Sequence, residues 1–158
     1  MEHAPAWALW LERSDLAVLM RGSEWLYPTA NVLHLLAVAL LVGTIVALDL
    51  RVLGLGRRLP LAALDVYLTR FARVAIPVIL VTGFCLFAAD ASHLVGSAAL
   101  WTKLGLLALG LANALLFRRL WQGRLGEAAA PPGAKAQAAL SLLIWPSAAV
   151  AGRLIAYL

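Results

Sequence analysis

The fold class that this sequence predicts is an all-α integral membrane protein: a four-helix transmembrane bundle with an N-terminal interfacial helix. Three observations carry that expectation. Of 158 residues, 63% are hydrophobic and 13% charged, against about 45–50% apolar and about 25% charged in a soluble domain. Mean hydropathy is +0.89. The apolar residues gather into four stretches near the roughly 20 residues that cross a bilayer, with short connections.

Each element follows from local signals. Residues 1–24 are too short and too charged to span: Trp7, Trp10 and Leu11 mix with Glu12, Arg13 and Asp15. This segment reads as one or two helices lying along the membrane surface, with Ser14 and Asp15 opening the second. It lacks the basic start and cleavage site of a signal peptide, so the first span is expected to act as its own insertion signal. Residues 25–158 form the membrane domain. Span one covers about 28–53, with Pro28 in its first turn and Gly54 and Gly56 ending it. Span two covers about 61–89 and contains Pro77, which membrane helices tolerate. Span three covers about 98–121. A Pro/Gly-bearing connection leads to span four, about 136–157, which contains Pro146.

The charges set an orientation. Arg51, Arg57, Arg58, Arg70 and Arg73 flank the first connection, and Arg118, Arg119, Arg124 and Lys135 the third. Residues 1–24 are net acidic, and Asp90 and Lys103 offset each other around the second connection. The positive-inside rule puts both basic connections in the cytoplasm of a bacterium and both termini in the periplasm, across the inner membrane. Trp25, Tyr27, Trp101 and Tyr157 then mark the outer interface, Tyr67 and Trp121 the inner one. Basic residues dispersed between spans do not form a nucleic-acid surface. The expected partners are the lipid bilayer and, beyond it, other membrane subunits or further copies of the chain.

Ionisable groups inside spans mark a function or a pairing partner. At about 1.5 Å rise per residue, His34 lies roughly 9 Å beyond Pro28, in the outer half. Helical spacing places Tyr27, Asn31, His34 and Asp49 along one line of span one. Ala39, Gly43 and Ala47 form a small-residue ridge pointing elsewhere, expected to pack a neighbouring helix; Ala108 with Ala112, and Ala148 with Gly152, repeat the spacing on spans three and four. Lys103 opens span three and Arg153 lies near the end of span four, both at the outer level. Asp49 and Arg51 read as a local charge pair that positions the first loop.

This pattern fits several chemistries. An imidazole can ligate the iron of a b-type haem, with Lys103 and Arg153 pairing the propionates and Asn31 and Tyr27 nearby. A quinone headgroup bonded by His34, or another metal ion, needs similar chemistry. A purely structural His34, bonded to Asn31 or to a carbonyl of another helix, needs no cofactor. His93 and His3 are the remaining imidazoles for a second axial position. Lys103 also fits a cation reaching for the interface. The lone Cys85 excludes an intramolecular disulfide and Cys-based clusters. The chain has no phosphate-binding loop, GxSxG or HExxH motif.

Taken together, "WLYP" (25–28), His34, "LDLRVLGL" (48–55), "TGFCLF" (82–87), "WTKLGLLALGLANALLF" (101–117) and "GRLIAYL" (152–158) resemble a family of small bacterial four-helix membrane proteins of unknown function. More distantly, the span-one histidine and the Trp101-Thr102-Lys103 opening are similar to HemJ-type membrane protoporphyrinogen oxidases and CopD-like copper-resistance proteins. That second resemblance implies haem binding and activity at His34 and Lys103. The alternative to a haem protein is a cofactor-free structural or accessory subunit of a larger membrane complex.

Overall fold

Local backbone chemistry marks where several of the helices begin or stop. In the computed structural model, which describes residues 4–121 and 130–155, helix α1 (Ala6–Glu12) ends two residues before Ser14. The Ser14 hydroxyl then accepts from the Ala17 N–H and opens α2 (Asp15–Gly22), as an N-cap serine should. Helix α3 (Leu26–Leu53) stops at Gly54, whose φ of 111° is open to glycine and strained for other residues. The Leu55 N–H donates back to the Leu50 carbonyl at 2.9 Å, closing a Schellman-type turn. Helices α4 (Leu61–Ala89), α5 (Ala91–Val95), α6 (Ala98–Trp121) and α7 (Pro132–Leu154) complete the chain.

The described residues are all-helical, with seven helices in place of the four spans and one or two surface helices expected. Three of them, α3, α4 and α6, are long and apolar enough to cross a membrane. Their ranges agree with the first three expected spans to within two residues. Only 11%, 17% and 11% of their most apolar windows are buried, so these helices turn most of their surface outward, as lipid-facing helices do. The chain is therefore read as a multi-pass membrane protein.

Helix α7 differs from the span expected over 136–157. It starts four residues earlier, because Pro132 occupies the first helical turn, where a missing N–H costs nothing. It is also less apolar, carrying Lys135, Gln137, Ser141 and Arg153. Burial explains how it tolerates them. Ala134, Ala138, Ser141, Ile144, Trp145, Ala148 and Ala151 form a buried stripe that packs on both α3 and α6.

Around the bundle, α4 packs on α3, α3 on α7, and α7 on α6. Among the described residues, α4 and α6 share no extended packing. At the end where α7 begins, Val52, Ala134 and Ala138 are buried together, and Leu53, Leu61, Phe117, Trp121 and Ala130 pack around them. At the opposite end, α1, α2 and α5 lie over the termini of α3 and α4. Three contacts fasten them. The Glu12 carboxylate accepts from the Ser92 N–H at 3.0 Å. The Arg21 guanidinium donates to the Ala89 and Glu12 carbonyls, each at 2.6 Å. Trp7 stacks on Phe87 with ring centroids 6.3 Å apart.

Two packing expectations are corrected. The Ala39/Gly43/Ala47 ridge does not seat a helix: a side chain added at Gly43 would meet no atom within 4 Å. Ala39 and Gly43 instead line a shallow cavity of about 250 Å³ with Leu68 and Phe71 of α4. Ala108 and Ala112 are also exposed, whereas Ala148 is buried. Close approach occurs at Gly110, where a Cβ would come within 3.1 Å of the Trp145 ring and 3.2 Å of Ile144. Asp49 and Arg51 do not pair either. Residues two apart on a helix point to different sides. Arg51 turns to the loop, donating to the Leu59 and Arg57 carbonyls, and Asp49 turns to Ser141 of α7.

Candidate functional site

His34 lies at the α5 end of the bundle, one-third of the way along α3, and faces α4. Its Nδ1 is 3.0 Å from the Thr82 hydroxyl. Thr82 Oγ1 in turn donates to the Val78 carbonyl of its own helix at 2.5 Å. A hydroxyl has one proton to give, and here it goes to Val78. That leaves Thr82 to accept from the imidazole and favours the proton on Nδ1; the Ile79 carbonyl of α4 is a further acceptor for the ring. The orientation of a ligating imidazole is set in this way, by the bond its other nitrogen makes.

The next residue makes room for the ring. A Cβ at Gly83 would sit 3.0 Å from His34 Cε1 and 3.5 Å from Nδ1. The Thr82-Gly83 pair thus supplies an acceptor and a gap at successive positions. Sequence reasoning missed both residues as partners of His34. The available signal was "TGFCLF": a lone threonine followed by glycine inside an apolar run, which in a membrane helix points to a close helix contact.

Lys103 approaches the same region from α6. Its ammonium lies within electrostatic reach of His34, and its Cδ, Cε and Nζ lie 3.3 Å from the place a Gly152 Cβ would take. Both His34 and Lys103 are half-buried. The four long helices therefore meet here through His34, Thr82-Gly83, Lys103 and Gly152. Arg153 follows Gly152 directly and is exposed. Asn31 and Tyr27 sit on α3 toward its start and are exposed. Neither is His34's partner; of the structural bonds expected, the one to Asn31 is replaced by Thr82, and the one to a carbonyl of another helix is met by Ile79 of α4. The polar line of α3 also divides, with His34 facing α4 and Asp49 facing α7.

Of the other imidazoles, His93 is two-thirds exposed on α5 and lies 3.5 Å from Asp90. His3 lies outside the described residues, as does Tyr157. Among the described residues no three His, Cys, Asp or Glu side chains converge on a metal-sized site. The donor set at His34 is a single imidazole with a cation nearby. That suits a prosthetic group which brings most of its own iron ligands, and does not suit a bare ion.

The family pattern spans this whole arrangement, matching residues 7–158. The chain belongs to the family of unknown function DUF6644. No curated protein and no solved structure matches it. The distant likeness to HemJ-type and CopD-like proteins finds no support there and rests on His34 and Lys103 alone. For this DUF6644 protein the site must be argued from its own residues.

A second polar region lies toward the opposite end. Asn113 of α6 donates to the Gln137 carbonyl at 3.2 Å, and the Trp121 indole donates to the Gln137 side chain. Among the described residues, Asp49 Oδ2 and Trp145 Nε1 are buried there without a hydrogen-bond partner. These groups tie α3, α6 and α7 together.

Proposed function

We propose that this protein binds haem b in the bacterial inner membrane and serves a redox or electron-transfer role. The observation that carries the reading is the His34–Thr82 hydrogen bond, which favours the Nδ1–H tautomer in an imidazole beside a lysine. His34 would be the axial ligand. Lys103 and Arg153 would pair with the propionates, and Asn31 and Tyr27 would border them. Haem bound there supplies a one-electron couple; the chain's own residues hold the imidazole tautomer, place cations and exclude water. Four transmembrane crossings, with α7 as the enclosed fourth, and periplasmic termini complete the proposal. The cationic residues flanking the Gly54–Pro60 connection support that orientation.

The test is an absorption spectrum of detergent-purified protein from haem-replete cells. A Soret band is expected, and His34→Ala should remove it. A folded protein with no Soret band ends the haem reading. A quinone in the same place would leave the spectrum without that band and would be released by solvent extraction.

A second reading, an accessory subunit without a cofactor, is favoured by the outward-facing Ala39/Gly43 and Ala108/Ala112 rows. Small residues facing outward allow close approach by another helix, from a partner or a second copy. Co-purification with another membrane protein in fixed stoichiometry, unaffected by His34→Ala, would support it.

A further inference from the structure

Around His34 and Lys103 the bundle is packed at one end, covered over α3 and α4 at the other, and closed along three of its lateral edges. At one end the cluster around Val52, Ala134 and Ala138 draws in residues from α3, α4, α6 and α7. At the other, α1, α2 and α5 are fastened over α3 and α4 by Glu12, Arg21 and Trp7. There the Trp101 indole also donates to the Val95 carbonyl at 2.8 Å, tying the short α5 segment to the start of α6. Three of the four lateral edges are packed helix on helix: α4 with α3, α3 with α7, α7 with α6. The α4–α6 edge alone lacks extended packing among the described residues. It opens onto the region that the apolar surfaces of α4 and α6 assign to lipid.

We propose that the His34 and Lys103 site is loaded sideways from the bilayer, between α4 and α6, by a membrane-dissolved amphiphile bearing an anionic group. The inference rests on reading His34 and Lys103 as a ligand site, not on the ligand being haem. A solute arriving from water would meet the cluster at one end and, over α3 and α4, the strap at the other. An amphiphile already in the bilayer would pass between two apolar helix faces. Its acidic group would meet the one ammonium that extends into the bundle from α6, and the His34 imidazole on α3. Haem, with an apolar macrocycle and two carboxylates, belongs to this class.

Thiol labelling of the full chain in liposomes tests the route without any bound ligand. In a Cys85→Ala background, a cysteine is placed at Lys103 in one variant and at Thr82 in another. Arg58→Cys, exposed in the connection between α3 and α4, is the aqueous control. A neutral lipid-soluble maleimide and a sulfonated, membrane-impermeant maleimide are each supplied to both faces. Because a charge is costly in hydrocarbon, the neutral reagent should label positions 103 and 82 at least about tenfold faster than the charged one. Both reagents should label position 58. Labelling of 103 or 82 by the charged reagent as fast as position 58 would overturn the proposal, as would no labelling of either by the neutral one. If one variant fails to fold, the other decides.

The ligand class has its own arm. Stearate in the vesicles should slow neutral labelling at position 82 severalfold, stearylamine should not, and Lys103→Gln should abolish the protection. Equal effects of stearate and stearylamine, or none, would refute an anionic ligand. Labelling needs no haem, so the portal can fail while the Soret band stands, and the reverse.

Discussion

Thr82→Val is the most direct probe of the site. It exchanges a hydroxyl for a methyl at nearly constant volume and removes one acceptor, the partner of His34 Nδ1–H. The Val78 carbonyl loses little, because the helix backbone still supplies it with a donor. The cost therefore falls on the imidazole N–H, left with the Ile79 carbonyl of α4 as its remaining acceptor. An unpaired buried donor costs about 1–3 kcal/mol in soluble proteins, and hydrogen bonds in membrane proteins average about 0.6 kcal/mol, with a maximum near 1.7. Thr82 is 7% exposed and His34 half-buried, so about 1 kcal/mol is expected, roughly a fivefold change in the folded-to-unfolded ratio. Unfolding by sodium dodecyl sulfate, followed by circular dichroism, measures it. Nitrogen-15 spectra of histidine-labelled protein, assigned with His34→Ala, report the tautomer. The wild type should show Nδ1–H at His34, Thr82→Val should admit Nε2–H, and Thr82→Ser should keep the wild-type tautomer. An Nε2–H tautomer in the wild type, or an unchanged tautomer in Thr82→Val, would refute the reasoning.

Four more outcomes follow from the same contacts. Gly110→Leu should push α6 from α7 against Trp145 and Ile144, costing about 1–3 kcal/mol by overpacking in the same unfolding assay. Gly43→Leu, which enters open space, should leave stability within about 0.5 kcal/mol; loss of an oligomer by cross-linking would instead show that the row seats a partner. Trp145→Phe removes an indole N–H that has no partner, so it should cost less than about 1.5 kcal/mol; a loss above 3 kcal/mol would mean that Nε1 is bonded. The strap should respond to acid. Hydrogen bonds from Ser92 hold the Glu12 carboxyl below its ordinary 4.5, with Arg21 and Arg13 assisting. A lowered folded value means that the Glu12 contribution is complete above the unfolded value and is lost as pH falls through the folded one. Hydrogen exchange at the Ser92 amide should therefore be unchanged in protection between pH 7 and about pH 5 and lose protection below about pH 4, and Glu12→Gln should lose much of it at pH 7.

The elements that sequence reading placed well were those fixed by local chemistry. Gly54 ended α3, Ser14 capped α2, and the apolar lengths of α3, α4 and α6 came through almost unchanged. What it misplaced depended on which helix stands beside which. His34 and Asp49 share a stripe of α3, yet α4 takes one and α7 the other, a division no single-helix projection contains. The Ala39/Gly43/Ala47 spacing permits close approach but does not say that a neighbour is there. Thr82 and Gly83 became partners of His34 only through the pairing of α3 with α4. Lys103 and His34 were placed at a common level because bilayer depth, unlike azimuth, can be counted along the chain.

The strap fastened by Glu12 has a consequence for biosynthesis. Its acceptor and donor are 80 residues apart. Helices α1 and α2 leave the ribosome before α3 and α4 and must wait until α5 has been made. Trp7 and Trp10, 52% and 74% exposed even in the finished fold, give the waiting segment a resting place among the lipid headgroups. The last turn of the lock can close only after α4 has crossed, so assembly of this end should report completed insertion of the helices beneath it.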